Sequence, residues 1–555
     1  MVNRIPLTIG IVFLAVFVWG YVITVDRAFF DAAADGANRL FGLHDHVSLF
    51  GLSIPVSWPM IAFVLMIPIA IISGLMPGGG LPFLVVVLAF ATEIDNPFIA
   101  LPVVIGYMAA NDLTEPIPSI LLGIPGARSS QATILDGYPL ARQGYAGYAL
   151  GASYTSSLIG GIIGGFALLA VLPFARELLR HFGSAEFFLL ALLGICAVAI
   201  VSAGAFVKGM LTACLGLFIG MIGFVNIASE TRATFGIDYL YDGINIVPVV
   251  VGLFAIPEIA DLVISNTPVA KERLSEMLKE GNRDVARGMR EALRHKWLIT
   301  RSSLIGVFIG AMPGLGPTPA HWLAYAQARQ TEKGAVETFG TGDIRGVIAP
   351  ESSNNSTDGG VLMPTLIFAI PGSGPMAIVL GFLYIVGVQP GPAMVNPELH
   401  LNLTLSLVYV IVLANILVVP IVLRFSPLLT KVAAVPPLVL APLVLGIVTL
   451  AAFQANLDIS DLTVMIVFAA LGMFMKAYAW PRPPILIAVV LAGPLETFMS
   501  RAIQTEGIGM VTRIPFLAIL VVVVAAVFFS LRVQRGAQRL QEQTLAKEAA
   551  GGAES

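Results

Sequence analysis

The sequence predicts an all-α polytopic membrane protein with about 12–14 membrane segments. These segments are expected to form two pseudo-symmetric, inverted repeats whose helices are broken at Pro-Gly motifs. Three observations predict this fold: a strongly apolar composition, a succession of long apolar segments, and a Pro-Gly pattern that occurs twice. Of the 555 residues, 57% are hydrophobic and only 12% are charged. Because the outside of a soluble fold must be wetted, a chain this apolar is suited to the bilayer.

The composition also excludes several classes of function. A formal net charge of −3 is not that of a nucleic-acid binder, since such proteins carry a positive surface. The Gly-x-x-x-x-Gly-Lys-Ser/Thr pattern of nucleotide-binding loops is absent from the sequence, so we do not expect an ATP-driven pump. The two cysteines, Cys196 and Cys214, lie in apolar runs and are expected to pack as small apolar side chains. We expect no catalytic residues, no cofactor and no metal beyond a transported Na⁺.

Candidate membrane segments follow one another through both halves of the chain. The first begins close to Met1 and is interpreted as a retained helix rather than a cleaved signal peptide. Several segments are interrupted by Gly and Pro, which is typical of broken or re-entrant helices. The segments are residues 5–25, 58–76, 81–110, 146–174, 186–203, 205–228, 244–264, 299–330, 361–388, 402–424, 434–453, 461–480, 483–500 and 514–532.

A charged stretch divides the chain into two membrane halves. Residues 271–301 hold nine Lys or Arg and five acidic residues, with apolar residues at helical spacing. This pattern predicts an amphipathic linker helix, and its excess of basic residues places it in the cytoplasm. The predicted units are an additional N-terminal helix and loop (1–50), the first membrane half (51–265), the linker (266–300), the second membrane half (301–532) and a polar tail (533–555).

Self-similarity between the halves is the most informative feature of the sequence. The run Gly74-Leu-Met-Pro-Gly-Gly-Gly-Leu-Pro82 resembles Gly310-Ala-Met-Pro-Gly-Leu-Gly-Pro317. Farther along, Gly123-Ile-Pro-Gly126 resembles Ala369-Ile-Pro-Gly372. From proline to proline, the second motif follows the first by 48 residues in one half and 58 in the other. Paired broken helices in two halves are the sequence pattern of a secondary-transporter binding site.

The breaks have a chemistry of their own. Proline removes a backbone donor and glycine allows close approach, so the helix ends expose N–H and C=O groups that a ligand can satisfy. Helix N-termini favour anions, and we therefore predict a small organic anion bound where the breaks of both halves meet. The predicted substrate-binding residues are Gly78, Gly79, Gly80, Gly126, Arg128, Ser129, Ser130, Gly314, Gly316, Asn354, Asn355, Gly372 and Ser373.

Uptake of an anion into a negative cell interior is uphill by about 2.3 kcal/mol per charge per 100 mV. Cotransported cations are therefore expected, and the oxygen-rich polar runs favour Na⁺ over H⁺. The predicted ion-coupling residues are Asn111, Thr114, Ser356 and Thr357. H⁺ stays open as the alternative because four acidic residues lie in the same runs, namely Asp112, Glu115, Glu351 and Asp358. The outer polar stretches, 136–142 and 331–345, are interpreted as loops at the membrane surface.

Several motifs are similar to those of a known family, the large membrane subunit (TctA) of tripartite tricarboxylate transporters. They cover residues 50–530 in order, and the longest is Gly123-Ile-Pro-Gly-Ala-Arg-Ser-Ser-Gln-Ala-Thr-Ile-Leu-Asp-Gly-Tyr-Pro-Leu-Ala-Arg-Gln-Gly144. Others are Met312-Pro-Gly-Leu-Gly-Pro317, Phe339-Gly-Thr-Gly342, Gly346-Val-Ile-Ala-Pro-Glu-Ser-Ser-Asn-Asn355 and Gly387-Val-Gln-Pro-Gly-Pro392.

The resemblance implies a permease of the bacterial inner membrane that imports carboxylates, with an ion gradient as the driving force. It also implies two partners: a small membrane subunit, TctB-like, and a periplasmic solute-binding protein, TctC-like. At Arg128 the family commonly has a small residue, so a guanidinium that binds the substrate carboxylate is a narrower hypothesis. A snorkelling arginine at the membrane interface is the alternative for that residue.

Two other classes of function are open at this stage. Tyr241-Asp242 and Gly340-Thr-Gly-Asp343 resemble the two aspartate motifs of intramembrane aspartyl proteases, in which two carboxyl groups share a proton. Against this, Asp343 lies in a polar stretch rather than in an apolar helix. A gated anion channel is the other alternative, although paired breaks fit a gated site better than a continuous pore.

Overall fold

Helices account for nearly all regular structure in the chain. The computed structural model describes residues 25–49, 52–76, 78–201, 206–225, 230–265, 281–433, 437–525 and 527–528. The predicted N-terminal span at 5–25, the polar tail at 533–555 and the first part of the linker lie outside the described residues almost entirely.

The described residues of the first half form twelve helices. They are α1 (Arg27–Phe41), α2 (Trp58–Leu75), α3 (Gly80–Ala91), α4 (Pro97–Asp112), α5 (Pro116–Leu122), α6 (Gln131–Arg142), α7 (Ala146–Leu179), α8 (Ser184–Val201), α9 (Phe206–Gly220), α10 (Ile246–Val250), α11 (Ile256–Ser265) and α12 (Gly281–Arg294). A turn of π-helix, Val251–Ala255, joins α10 to α11, and a 3₁₀ turn, Arg128–Ser130, leads into α6.

The second half continues with ten more segments in the described part of the chain. They are α13 (Lys296–Gly310), α14 (Pro317–Thr331), α15 (Ala335–Thr338), α16 (Arg345–Leu362), α17 (Gly374–Ile385), α18 (Leu401–Ala433), α19 (Pro437–Gln454), α20 (Ile459–Ala477), α21 (Pro483–Glu506) and α22 (Ile514–Ala525). A π-helical turn, Met363–Ile367, follows α16 directly.

Two short antiparallel hairpins depart from the all-helical prediction. Strand β1 (Asp45–Leu49) pairs with β2 (Leu52–Val56), and strand β3 (Gly223–Val225) pairs with β4 (Glu230–Arg232). In the first hairpin, apolar residues alternate with other residues at Val47, Leu49, Leu52, Ile54 and Val56, which is the pattern of a strand rather than a helix. The fold is therefore mostly helical rather than all-α.

Six described helical stretches are long and apolar enough to cross a membrane. They are Trp58–Leu75, Pro97–Leu122, Ala146–Leu179, Leu401–Arg424, Ile459–Ala477 and Pro483–Thr512. Six shorter apolar helices accompany them, among them α3 and α17. Three of the predicted segments are divided by a break: 81–110 consists of α3 and α4, 299–330 consists of α13 and α14, and 361–388 consists of the end of α16 and α17.

Helix α16 lies at the centre of the molecule although its sequence is polar. It packs against α7, α13 and α14, and its residues from Gly346 to Leu362 are all buried. Small residues permit this close packing: a Cβ added at Gly164 of α7 would lie 2.6 Å from the backbone oxygen of Ser356. Such contacts between backbones are typical of membrane helix pairs. The linker helix α12 also packs, against α7.

Replacement of Gly164 by leucine is expected to destabilise the fold by about 1–3 kcal/mol, because the new side chain must displace α16. The matched control is Gly446→Leu on α19, where an added Cβ meets nothing within 4 Å. Thermal unfolding of the detergent-solubilised variants measures the difference. Equal melting temperatures for the two variants would show that the α7–α16 contact is not tightly packed.

Candidate functional site

Each half of the chain contains two helix breaks whose loops bond to each other. In the first half, α2 ends before Gly78, which has a positive φ of 73°. The Gly78 N–H donates to the backbone oxygen of Gly126, at 2.8 Å. Gly126 belongs to the Ile-Pro-Gly motif that follows α5. We call residues 76–80 with 123–127 the first loop pair; Pro77 within it lies outside the described residues.

The second half repeats this arrangement. Gly314 and Gly316 have positive φ angles of 77° and 65°, which glycine adopts without strain. The Gly314 N–H donates to the oxygen of Pro371 at 3.2 Å, and the Gly316 N–H donates to the oxygen of Gly372 at 3.1 Å. We call residues 311–316 with 369–373 the second loop pair. Helix α14 begins directly after it at Pro317.

A hydroxyl group supports the Ile-Pro-Gly turn in both loop pairs. The Gly126 N–H donates to Ser119 Oγ at 3.2 Å, and the Gly372 N–H donates to Thr365 Oγ1 at 3.1 Å. In each case the hydroxyl residue precedes the glycine by seven positions. These bonds satisfy donors that a broken helix would otherwise leave unpaired in an apolar environment.

A buried polar network surrounds the first loop pair. Tyr107 donates to Ser73 Oγ and to the backbone oxygen of Gly80, both at 2.8 Å. Ser73 donates to Asn111 Oδ1 at 2.6 Å, and Asn111 Nδ2 donates to Glu115 Oε1 at 2.7 Å. The other oxygen of Glu115 accepts from Ser129 Oγ, one of the predicted substrate-binding residues, at 2.8 Å. This Glu115 carboxylate therefore has a donor on each oxygen.

Two other predicted residues of the first half, Ser130 and Thr114, form hydrogen bonds with residues near them in sequence. Ser130 Oγ accepts from the Ala127 N–H at 3.1 Å and from Ser119 Oγ at 2.9 Å, so it braces the turn. Thr114 Oγ1 donates to the backbone oxygen of Asn111 at 2.9 Å. The Arg128 side chain lies outside the described part of the structure. The 3₁₀ turn that contains it packs against α14 of the other half.

Predicted residues 354–357 lie on α16 and are buried in its packed surroundings. Ser356 Oγ donates to the backbone oxygen of Ser303 at 2.8 Å, and Thr357 Oγ1 donates to that of Ser353 at 2.7 Å. Asn355 Nδ2 donates to Asn415 Oδ1 at 3.1 Å. Asn354 differs from these neighbours, because it is fully buried and neither of its amide atoms has a hydrogen-bond partner.

Ser373 caps α17 by accepting from the Met376 N–H at 3.3 Å. It also lies against the second loop pair, since a Cβ added at Gly316 would lie 3.1 Å from the Ser373 Cβ. The structure thus places Ser373 with Gly314, Gly316 and Gly372, and it places Ser129 with Asn111, Glu115 and Gly80.

One buried network was missed by the sequence analysis. Thr133 of α6 donates to Glu351 of α16 and contacts His321 Nε2 of α14 at 3.2 Å. Glu351 also accepts from Ser153 at 3.3 Å and from Ser157 at 3.2 Å. His321 is fully buried, and its Nδ1 has no partner. No local signal could have found this network, because its members are distant in sequence.

Two acidic residues from different halves meet near the breaks. The carboxyl groups of Asp112, at the end of α4, and Asp358, on α16, lie within hydrogen-bonding reach of each other. Asp358 is buried, and its Oδ2 has no hydrogen-bond partner. Asp112 is half-buried. This contact joins the polar network of the first half to the central helix of the second.

The interpretation of residues 136–142 as a surface loop is wrong. These residues belong to α6, and Asp136 is fully buried. Its Oδ1 accepts from the backbone N–H groups of Gly340, Gly342 and Asp343 at 2.8–2.9 Å, and its Oδ2 accepts from Tyr325 at 2.9 Å. Asp136 is thus the acceptor around which the connection after α15 turns.

The aspartyl-protease alternative does not fit the geometry. Asp242 is exposed in a turn, and Asp343 forms an ion pair with Arg345 at 2.6 Å outside the apolar helices. Burial opposes ionisation of Asp343, but hydrogen bonds from Arg345 and Thr338 outweigh it and lower the pKa of this carboxyl below its ordinary value. A carboxylate held in its charged form by arginine cannot share a proton with a second aspartate.

Long apolar helices whose paired breaks surround buried polar side chains define a multi-pass membrane protein with an internal polar region. Residues 60–487 match the tripartite tricarboxylate transporter TctA family. The chain therefore belongs to this family of transporter subunits, and it is not an enzyme.

Two relatives come from Agrobacterium vitis. The protein named "Uncharacterized 52.8 kDa protein in TAR-I ttuC' 3'region" is 28% identical over 452 residues, which cover 79% of this chain and 86% of the relative. The protein named "Uncharacterized protein in TAR-II ttuC' 3'region" is 29% identical over 199 residues, which cover 36% of this chain and 80% of the relative. No solved structure matches this chain.

Removal of the hydroxyl groups that brace the two turns is expected to destabilise the protein. Ser119→Ala and Thr365→Val each leave a buried glycine N–H without an acceptor, at a cost of about 1–3 kcal/mol. Thr449→Val is the control, because that exposed hydroxyl only donates to a helix carbonyl within its own helix. Thermal unfolding in detergent compares the three. Losses no larger than that of the control would mean that the hydroxyls do not support the turns.

Proposed function

We propose that this chain is the permease subunit of a tripartite importer of small organic carboxylates in the bacterial inner membrane. A TctC-like periplasmic solute-binding protein delivers the substrate, a TctB-like small membrane subunit completes the transporter, and a Na⁺ gradient drives uptake. The observation that carries this proposal is that each half of this TctA family member contains a glycine-rich loop pair.

The loop pairs supply the donors that a carboxylate requires. In the described state, the N–H groups of Gly78, Gly314 and Gly316 donate to carbonyl oxygens of the partner loop. A carboxylate is a stronger acceptor than a carbonyl, because charge-assisted hydrogen bonds are about twice as strong as neutral ones. Separation of the two loops would transfer these donors to the substrate, with Ser129 and Ser373 beside them. The substrate thus stabilises the state in which the loops are apart.

The proposed inverted repeat is supported by matching positions in the two halves. Asp112 and Asp358 each precede the proline of an Ile-Pro-Gly motif by thirteen residues. The supporting hydroxyls, Ser119 and Thr365, likewise each precede it by six. Equivalent residues in two halves are expected where an ancestral unit was duplicated.

Contacts between the halves are also reciprocal. Gln143, just after α6, donates to the Thr341 backbone oxygen, in the connection that precedes α16, at 3.0 Å. Conversely Thr92, in the connection after α3, lines a crevice with Ile385 at the end of α17. In both examples, one residue belongs to the connection that follows the first helix break of one half. The other belongs to, or directly follows, the helix after the second break of the other half. A two-fold relation between the halves requires this exchange, and an axis in the membrane plane would invert them.

Uptake in proteoliposomes tests the proposed function. The permease is reconstituted with both partners, and a Na⁺ gradient at fixed pH is compared with a pH gradient without Na⁺, using mono-, di- and tricarboxylates. We expect saturable uptake that requires the solute-binding protein and the Na⁺ gradient. Uptake driven by the pH gradient alone would replace Na⁺ by H⁺. Non-saturable flux without the binding protein would favour the anion channel.

Substitution of Gly316 tests the second loop pair. In Gly316→Val, a β-branched residue must adopt a φ of 65°, which is strained, and the bond to Gly372 is lost with it. We expect membrane insertion to be retained and uptake to fall by at least about tenfold, since each 1.4 kcal/mol of lost binding is a factor of ten. Gly446→Val, on an open helix face, is the control and should transport normally. Normal uptake by Gly316→Val would argue against the loop pair as the substrate site.

A further inference from the structure

We infer that Asp112, Asp358 and Asn354 form the binding site of the coupling Na⁺ ion, at the contact between the two halves. The inference rests on the proposed cation-driven transport and specifies which atoms hold the cation. It moves the ion from the predicted residues Asn111, Thr114, Ser356 and Thr357 to two aspartates in the same runs, and it assigns Asn354 to the cation rather than to the substrate.

The first observation is the carboxyl pair itself. Asp112 and Asp358 are contributed by different halves and lie within hydrogen-bonding reach. Two carboxylates at such a distance in a low-dielectric interior repel strongly, so a positive charge must accompany them. No basic side chain among the described residues forms an ion pair with either aspartate. Arg128, whose side chain is not described, is a positive charge that the sequence places beside Ser129.

The second observation is the set of atoms that lack partners. On α16, the buried side-chain atoms without a hydrogen bond are Ser353 Oγ, both amide atoms of Asn354, Asn355 Oδ1 and Asp358 Oδ2. Asn354 and Asp358 are four residues apart on α16, so their side chains share one helix face. Unpaired buried polar atoms are costly. Carboxylate and amide oxygens are the ligands that hard cations such as Na⁺ take in proteins.

The surrounding titratable groups are already satisfied by other partners. Glu115 accepts from Asn111 and Ser129 on its two oxygens, and Glu351 accepts from Thr133, Ser153 and Ser157. Tyr107 donates to Ser73 and Gly80.

The two aspartates are less fully paired: Asp112 Oδ1 accepts from Asn111 at 3.4 Å, and Asp358 Oδ2 is buried without a donor. A proton shared by the two aspartates would still leave both amide atoms of Asn354 unpaired. A Na⁺ ion would engage the oxygens of all three side chains and leave only Asn354 Nδ2 unpaired, and for this reason Na⁺ fits the site better than H⁺.

Na⁺-dependent thermal stability of the full-length chain in detergent tests the site. The ion is titrated at constant ionic strength and fixed pH by exchange of choline for Na⁺. A ligand that binds the folded state raises its stability with a saturable dependence. We expect such a response in the wild type. In Asp358→Asn and Asn354→Ala the half-saturating Na⁺ concentration should rise by about tenfold or more. If Asp358→Asn does not fold, Asn354→Ala alone decides.

The matched control is Asp461→Asn on α20. Asp461 is also a buried aspartate; its Oδ1 accepts from Tyr239 at 2.5 Å and from Asn456 at 3.1 Å, and its Oδ2, like that of Asp358, has no hydrogen-bond partner. It therefore tests whether an unpaired buried carboxylate oxygen alone produces a Na⁺ response. Its loss should lower stability without a change in the Na⁺ response. An unchanged half-saturating concentration in both site variants would overturn the inference. So would a wild type that ignores Na⁺ but is stabilised by acidification through Asp358, or one that responds to neither because Arg128 supplies the positive charge.

The binding measurement is independent of the transport measurement. It requires no partner, substrate or gradient, so failure of the proposed function leaves it intact. Na⁺-driven uptake that persists with normal Na⁺ dependence in Asp358→Asn would retain the permease function and remove the site. Saturable Na⁺ binding with the expected variant response, in a chain that takes up no carboxylate, would retain the site and remove the function.

Discussion

The structure depends on one constraint: backbone donors and acceptors inside a membrane must be paired within the protein. An unbroken helix meets this constraint by itself, but the Pro-Gly motifs interrupt four helices near the middle of the fold. The chain restores the lost bonds by pairing each first-motif loop with the second-motif loop of the same half, as between Gly78 and Gly126. Because the two loops of a pair supply each other's hydrogen-bond partners, the helices can be interrupted there without a loss of stability. In the proposed transport cycle, the loops exchange that internal partner for the substrate.

The same constraint explains the polar sequence of α16. Hydroxyl groups on this helix, such as those of Ser356 and Thr357, donate hydrogen bonds to backbone carbonyl oxygens. With the hydroxyl paired in this way, the side chain presents a small and nearly apolar surface to its neighbours. Small residues at the crossing with α7 then bring the backbones together. Only a few groups on this helix have chemistry left to offer. Glu351 uses its oxygens in the network with Thr133, whereas Ser353, Asn354, Asn355 and Asp358 retain unpaired atoms.

Sequence patterns predicted the breaks because proline and glycine act locally. The positive φ angles at Gly78, Gly314 and Gly316 are what the Pro-Gly motifs require, and the mostly helical fold follows from composition. Contacts made by tertiary packing could not be predicted in this way. His321 reaches Thr133 across 188 residues, and nothing around His321 indicates a partner. Asp136 was assigned to a surface loop because its neighbours are polar, but the backbone of a distant turn, Gly340–Asp343, buries it. The contact of Asp112 with Asp358 is intermediate: the two aspartates stand at equal spacing from the two Ile-Pro-Gly motifs, but equal spacing alone does not show that they meet.

That a carboxylate comes from each half has a mechanical consequence. The electrostatic cost of the Asp112–Asp358 pair depends on the separation of α4 from α16, because the repulsion of two charges in a low-dielectric interior falls with distance. Without a cation, the pair favours any state in which the halves move apart; with a cation between the carboxylates, it favours the state in which they meet. A ligand shifts a conformational equilibrium only by its difference in affinity between the states. A site assembled from both halves has this difference in affinity, because its ligands meet in only one of the states. A site within one half would bind the cation equally well in both states and could not couple it to movement of the substrate.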